Sequence, residues 1–263
     1  NCTVGTWASP FWLQFADAIW RQDADWSTIG DQGNTRQRWI TYRDYMVYKN
    51  FTAASPLCPI NSLMTHGLMI SGFGNAGGNP PRAMEDDASA CTVAEITKEM
   101  RCAFACGSSL VELYIDHELM TNKENGKLWR ELAECIKWHR NNADVLDDTH
   151  WVGGNPWDGS KANIYGWASW NGEEAVLTLR NPSATEQSFT TTLRQALDIP
   201  DYITGSVILS DAFEGQTQYI GISNSKIDID ENITFNMPAF DVVVLNGICK
   251  SKKQHSYCKN NKK

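Results

Sequence analysis

The stretch Val152-Gly153-Gly154-Asn155-Pro156-Trp157-Asp158-Gly159-Ser160-Lys161-Ala162-Asn163 divides the chain into two kinds of sequence. Gly, Pro and Asn crowd it, and these residues punctuate both helix and strand, so it marks a linker or domain boundary near position 155. Before it, helical patterns alternate with short apolar runs. After it, every segment reads as strand.

Upstream, Ser9-Pro10 has the cap-then-Pro order of a helix start, and Phe11, Phe15, Ala18 and Ile19 share a face through about Gln22. Trp39, Tyr42 and Met46 fall at helical spacing within a second helix over Arg36 to Lys49, and Ile60 to Met64 reads as a short strand. A Gly- and Pro-rich loop, Gly72 to Pro81, leads to Thr92-Val93-Ala94-Glu95, a capping-box signature. Val93, Ile96, Met100 and Ala103 or Phe104 then continue with helical period. Leu110 to Ile115 reads as strand, and Asn125 to Asn142 as a long helix with Leu128, Leu132, Ile136 and His139 on its apolar side. Strand and helix alternate here at the spacing of βα units. Only about three such units are present, too few to close a barrel, and an open remnant would expose apolar edges.

Downstream, Ala175 to Arg180, Phe189 to Leu193, Val207 to Leu209, Ile227 to Ile229, Ile233 to Met237 and Phe240 to Leu245 are short, alternating and separated by turn residues, the pattern of an antiparallel sandwich. The expected organisation is α/β plus all-β: a partial barrel over 1–155, a β-sandwich over 156–247 and a Lys-rich polar tail over 248–263.

Of the 263 residues 42% are hydrophobic and 21% charged, and no run approaches the roughly eighteen apolar residues of a membrane helix. The formal charge is −8; six Lys stand in the last fourteen residues, leaving 17 basic against 31 acidic residues before them. That balance argues against nucleic acid as a partner. Eight Cys form no CxxC pair and no His stands at zinc spacing, so neither metal nor other cofactor is implied. Cys102, Cys106 and Cys135 sit in apolar contexts that suit buried thiols, whereas Cys249 and Cys258 flank a polar segment that a local disulfide could close. Sequons stand at Asn1, Asn50 and Asn232. No signal peptide is visible before Cys2; for the full-length protein a secreted or periplasmic place is expected over a cytoplasmic one. Phosphate-loop, dinucleotide, HExxH and GxSxG motifs are absent from the sequence.

All eleven Trp lie at or before position 170. Trp offers flat apolar area with one polar handle, suited to cores and to the faces of sugar rings. Between Trp20 and Trp26 stand Asp23 and Asp25. A carboxyl group against indole is partly desolvated, which raises its pKa and lets it serve as a general acid; the plainer alternative is a solvated loop. Trp12, Trp20 and Trp26 are the candidates for sugar contact, Trp129 and Trp138 for packing a long helix, and Trp151 to Trp170 for the seam between the two halves. Glu85-Asp86-Asp87 reads as a solvated loop before a helix, His66 as a structural or site-edge His at a strand end, and Asp116-His117-Glu118 as a charged loop.

Several stretches together resemble melibiase-like glycoside hydrolases, the clan of retaining α-galactosidases and bacterial relatives that carry an enterotoxin label. They are Asn1-Cys2-Thr3-Val4-Gly5, Asp17 to Asp23, Arg38 to Asp44, Ser62 to Gly67, Leu113-Tyr114-Ile115, Ala143 to Leu146, Thr149-His150-Trp151, Tyr165 to Trp170 and Leu179-Arg180-Asn181-Pro182, in that order up to about residue 247. The resemblance implies the last third of a (β/α)8 barrel followed by a small C-terminal β-sandwich. It implies that Cys2 and Gly5 line the sugar site and that Trp20 and Asp23 match the Trp-x-x-Asp segment of the acid/base carboxylate, with Asp25 as fallback. Trp12, Trp26 and Arg38 complete the expected carbohydrate contacts. Arg21-Gln22 stands where α-galactosidases usually have Thr-Ser, which leaves the sugar open. The family's nucleophilic Asp belongs to an earlier strand, before the residue matching Asn1. Retention needs two carboxyl groups about 5 to 5.5 Å apart, so this chain alone is expected to be inactive and to want an N-terminal barrel half as partner. From another class comes the alternative of a non-catalytic carbohydrate-binding or interaction protein.

Overall fold

The computed structural model describes residues 2–3, 18–20, 27–53, 59–70 and 87–253, without the side chains of 2–3, 18–20, 66–67 and 251–253. The first layer is a parallel sheet in sequence order, β1 (Cys2–Thr3), β2 (Ala18–Trp20), β3 (Leu63–Met69) and β4 (Leu110–Tyr114). Its register pairs Cys2 with Ala18, Ile19 with Leu63, and Met64 with Leu110. Ala18–Trp20 is therefore strand, where the sequence pattern predicts helix through about Gln22. An apolar triplet with a β-branched centre and an aromatic end satisfies either period, and pairing on both sides decides for strand.

Four helices join or follow these strands: α1 (Thr35–Val47), α2 (Val93–Phe104), α3 (His117–Asn122) and α4 (Lys127–Asn141), before the short α5 (Ala143–Leu146). Their starts follow from capping chemistry. Asn34 accepts from the Gln37 N–H at 3.0 Å, Thr92 from Glu95 at 3.2 Å, and Asp116 from Leu119 at 2.9 Å, each satisfying a donor that the first turn leaves without an intrahelical partner. Asp116-His117-Glu118, a loop by sequence, is thus a helix start. A π-helical turn, Tyr48–Thr52, continues α1.

The second layer is a six-stranded antiparallel sheet ordered β10-β9-β12-β7-β6-β5, with a two-stranded β11-β8 sheet beside it. Its strands are β5 (His150–Gly153), β6 (Tyr165–Trp170), β7 (Glu174–Arg180), β8 (Gln187–Thr192), β9 (Ile203–Asp211), β10 (Lys226–Asp228), β11 (Asn232–Met237) and β12 (Val242–Lys253), with a helical turn α6 (Leu193–Ala196) after β8. Two boundaries move. β5 precedes position 155 yet belongs to this sheet, and residues 248–253, expected in the tail, pair with β9 from Ile248–Ile208 to Lys253–Ile203. Alternating Lys and small residues offered no apolar signal there, and pairing with the long β9 carries the strand on.

The central strands are buried on both faces. Trp167, Val176, Val242 and Val244 pack with α2 and α4, while Ala168, Leu177, Leu179, Val243 and Leu245 face a second core shared with Ile233, Phe235 and Met237 of β11. Period-two alternation sends consecutive residues of β7 into the two cores. Within the antiparallel sheet β6 approaches β7 so closely at Gly166 that a Cβ would overlap the Thr178 carbonyl oxygen, and the layers meet closely at Gly33, with φ of +80°, whose missing Cβ leaves room for the Phe240 ring.

Polar groups also join the layers. Arg180 at the end of β7 donates from Nη1 to Thr41 Oγ1 (3.0 Å) and the Tyr165 hydroxyl (2.7 Å), and from Nη2 to the Gln37 carbonyl (3.0 Å) and Oε1 (2.8 Å). Every residue of this joint is buried. Removing one charged member of such a network strands its partners, so Arg180→Met is expected to cost about 3 to 5 kcal/mol in urea unfolding. A loss under about 1 kcal/mol would mean that apolar packing alone holds the layers together.

Candidate active site

Because β1 to β4 are parallel, their C-terminal ends lie at one end of the sheet, the place where α/β folds gather site residues. Asp23, the expected acid/base group, follows the last residue of β2 by three positions, and Gly5 follows β1 by two. Asp23, Asp25, Gly5, Trp12 and Trp26 lie outside the described residues. Cys2 and Trp20 stand within β1 and β2, Trp20 in register with Met64. Arg38 is the one expected contact whose side chain is described. It is half-buried on α1, and its Nε donates to the Gly30 carbonyl at 3.0 Å while Ile29 N–H donates to its carbonyl at 3.3 Å. Arg38 thereby pins the loop that follows Trp26. His66 lies inside β3 rather than after it.

At the C-terminal end of β3 the geometry is tightly specified. Arg36 donates from Nη1 to the carbonyl of Met69, the last residue of β3, and to Glu99, and from Nε to the Ala90 carbonyl at 2.5 Å. Glu99 also accepts from Trp39 Nε1 (3.2 Å) and Arg43 Nη1 (3.4 Å); Arg43 Nε reaches Asp44 at 3.1 Å, and Asp44 accepts from the Tyr165 hydroxyl at 2.7 Å. Together with Arg180 this makes three guanidinium groups and two carboxylates, none exposed. Sequence reasoning assigned none of them a role, although Asp44 and Arg180 fall within the stretches that carry the family resemblance. The readable signal was four charged residues, Arg36, Arg38, Arg43 and Asp44, on a helix that also buries Trp39 and Ile40.

The segment that leads into α2 is latched to the start of α1. Asp87 accepts from Thr35 N–H (3.0 Å) and the Ser89 hydroxyl (2.5 Å), and Glu95 accepts from Gln37 Nε2 (2.7 Å) and Asn34 Nδ2 (3.0 Å). The Ser89 and Thr35 bonds hold the Asp87 carboxyl below its ordinary value, so it is a capping anion rather than a proton donor. At the end of β4, Tyr114 donates to Glu112 at 2.7 Å, and burial followed by that carboxylate pushes the phenol up to about 12.

Cys102 and Cys135 are unsuited to nucleophilic work. Burial holds Cys102 well above its ordinary value, with Asp44 adding to the effect, and pushes Cys135 up to about 12. Cys249 is half-buried in β12, and Cys258, its expected partner in a local disulfide, lies outside the described residues. Among the described residues no group of three or more His, Cys, Asp or Glu side chains could hold a metal ion. Trp39, Trp138 and Trp167 are core residues, but Trp129, expected to pack its helix, is over a third exposed, its Nε1 donating to Thr121 at 3.2 Å.

No family model matches the chain, and no curated protein matches it. Solved structures do. A Bacillus halodurans C-125 protein assigned as an α-N-acetylgalactosaminidase is 10% identical over 94% of this chain and 48% of its own, with a TM-score of 0.48. A GH27 β-L-arabinopyranosidase of Geobacillus stearothermophilus is 13% identical over 90% and 46%, with a TM-score of 0.48. The α-galactosidase of Saccharomyces cerevisiae with raffinose is 8% identical over 59% and 43%, with a TM-score of 0.40. These likenesses are in space, at TM-scores below 0.5 for each structure compared with the chain. The chain spans somewhat less than half the length of each of these three structures.

The buried acids make the fold alkali-sensitive. Burial raises the Tyr165 and Tyr219 phenols as well as Cys102 and Cys135, so the folded chain keeps protons that the unfolded chain releases. Stability is then complete below about pH 8.5, where unfolded thiols begin to ionise, and falls as pH rises toward the folded values. Urea midpoints at about pH 8, 9.5 and 10.5 should decline in that order, less steeply in Cys135→Ala; a flat series would contradict this reading.

Proposed function

We propose that the chain is the C-terminal part of a retaining glycoside hydrolase acting on α-linked glycosides, with Asp23 as its acid/base carboxylate. The observation that carries this reading is the parallel order β1-β2-β3-β4, in which Trp20 closes β2 three residues before Asp23. A carboxylate just beyond a parallel strand faces the end where substrates bind in barrel enzymes. On this reading the parallel sheet β1–β4 with its helices is the last third of a (β/α)8 barrel, and the antiparallel sheets form the sandwich behind it. Cys2, Gly5, Trp12, Trp20 and Trp26 line the sugar site, and Arg38 acts by pinning the loop after Trp26.

The proposed roles follow from the chemistry of retention. Asp23 protonates the leaving oxygen as a second carboxylate attacks the anomeric carbon, then accepts a proton from water as the glycosyl ester is hydrolysed. On this reading that nucleophile belongs to an earlier strand, which a complementing half of the sheet would bring. Exposed Leu110 and Leu113 on β4, an end strand of the described sheet, suit burial against such a half.

The 263-residue chain should show no turnover of nitrophenyl α-glycosides. A polypeptide that adds the sequence encoded upstream of Asn1 should show turnover, and Asp23→Asn should lower its kcat by about a thousandfold for substrates with poor leaving groups. Turnover by the 263-residue chain alone would overturn the division of the two carboxylates; no turnover by the longer chain would favour a carbohydrate-binding protein.

A further inference from the structure

The sequon Asn232-Ile233-Thr234 opens β11, one strand of the small sheet that closes the second core. Strand period fixes how it is presented. Ile233, Phe235 and Met237 are buried in that core, while Asn232, Thr234 and Asn236 stand exposed on the opposite face. Across the pair, in register with them, lie Thr192, Thr190 and Ser188 of β8. This outer face is polar: the Thr190 and Thr234 hydroxyls share a hydrogen bond at 2.8 Å, and Ser188 donates to Asn236 at 2.7 Å.

The sequon Asn50-Phe51-Thr52 is placed in the opposite way. Asn50 lies in the π-helical turn Tyr48–Thr52, and its Nδ2 is buried. An N-linked glycan is bonded to that atom and is bulky and hydrophilic, so the folded chain accepts one only where Nδ2 faces water. Asn232 meets this condition and Asn50 fails it. The third sequon, at Asn1, lies outside the described residues.

We propose that Asn232 is the acceptor of an N-linked oligosaccharide and that Asn50 is not. In the transfer the Asn232 amide nitrogen attacks C1 of a lipid-diphosphate-linked oligosaccharide. The N–C1 bond forms as the C1–O bond breaks, the lipid diphosphate leaves with the electron pair, and the amide gives up one proton. The Thr234 hydroxyl, two residues on, completes the acceptor motif, and extended backbone sets it on the same exposed face as the amide. The six-stranded sheet stands between β11 and the core that holds α2, α4 and the end of β3. A glycan on Asn232 therefore reaches into solvent on the side of the molecule away from the parallel strands. The inference rests on β11 and its surroundings and is independent of the role given to Asp23.

Passing the 263-residue chain through the secretory route of yeast, behind a cleavable signal peptide, tests it. Enzymatic release of the glycans in heavy-oxygen water turns each glycosylated Asn into a labelled Asp. Peptide mass spectrometry then reads every site separately, in medium and cell lysate alike. Label is expected at Asn232 in most molecules and is expected to be absent from Asn50 in the chain that resists protease as a folded protein. Asn232→Gln should lose the label at that position and, because the side chain is exposed, keep the urea midpoint of the unglycosylated protein. Asn50→Gln should leave the occupancy of Asn232 unchanged. An unlabelled Asn232 in both fractions, or label at Asn50 in protease-resistant chain, would each overturn the proposal.

Discussion

Asp44 is where the two layers become one structure. It lies on α1, is fully buried, and accepts from Arg43 on its own helix and from the Tyr165 hydroxyl on β6, which in turn accepts from Arg180 on β7. A carboxylate without solvent is tolerated only where charge and hydrogen bonds surround it. Here burial alone would pull the Arg43 pKa down, yet Asp44, Cys102 and Glu99 outweigh it and hold the guanidinium charged. The same enclosure keeps Tyr165 protonated, so the phenol can donate to Asp44 and accept from Arg180 at once.

Three guanidinium groups against two carboxylates leave one positive charge over, which neutral acceptors must hold. Gln37 provides two of them, its carbonyl and Oε1, and Met69 and Ala90 provide backbone carbonyls for Arg36. This explains why α1 buries Arg36, Gln37, Thr41, Arg43 and Asp44 together with Trp39 and Ile40. Such a helix has no polar face to give to water. It packs as an interlayer element, and its specificity comes from directional bonds that apolar contact could not impose.

What could be read from sequence divides along the same physical line. Local chemistry was legible: Thr92 with Glu95 announced the start of α2, and the strands from β7 to β12 announced themselves by alternation, because caps and period-two patterns depend on neighbours in the chain. β5 and β6 carried no such signal. Features decided by distant partners were not. Ala18–Trp20 is strand because β1 and β3 pair with it, β12 runs to Lys253 because β9 does, and Trp129 stays at the surface although its helix is amphipathic. The ionic joint is the extreme case, since its members lie up to 143 residues apart and each taken singly looks like an ordinary surface charge. Of the candidate site, sequence supplied the carboxylate and its aromatic neighbours, while the structure supplies the parallel strands that precede them.

The joint and the candidate site are mechanically continuous. Arg36 holds the carbonyl that ends β3 and shares Glu99 with Arg43, which passes to Asp44, Tyr165 and Arg180. An unbroken path of buried polar contacts therefore runs from the antiparallel sheet to the end of the parallel sheet where a substrate would lie. A site built on strand ends needs those ends held to a fraction of an ångström, and loops alone do not supply that. The second layer thus does more than cover apolar surface. Through Asp44 and Glu99 it sets where β3 stops, and Asp87 and Glu95, before and on α2, are tied back to the start of α1. A substitution deep in the antiparallel sheet can for this reason shift the end of β3 without touching any residue beside it.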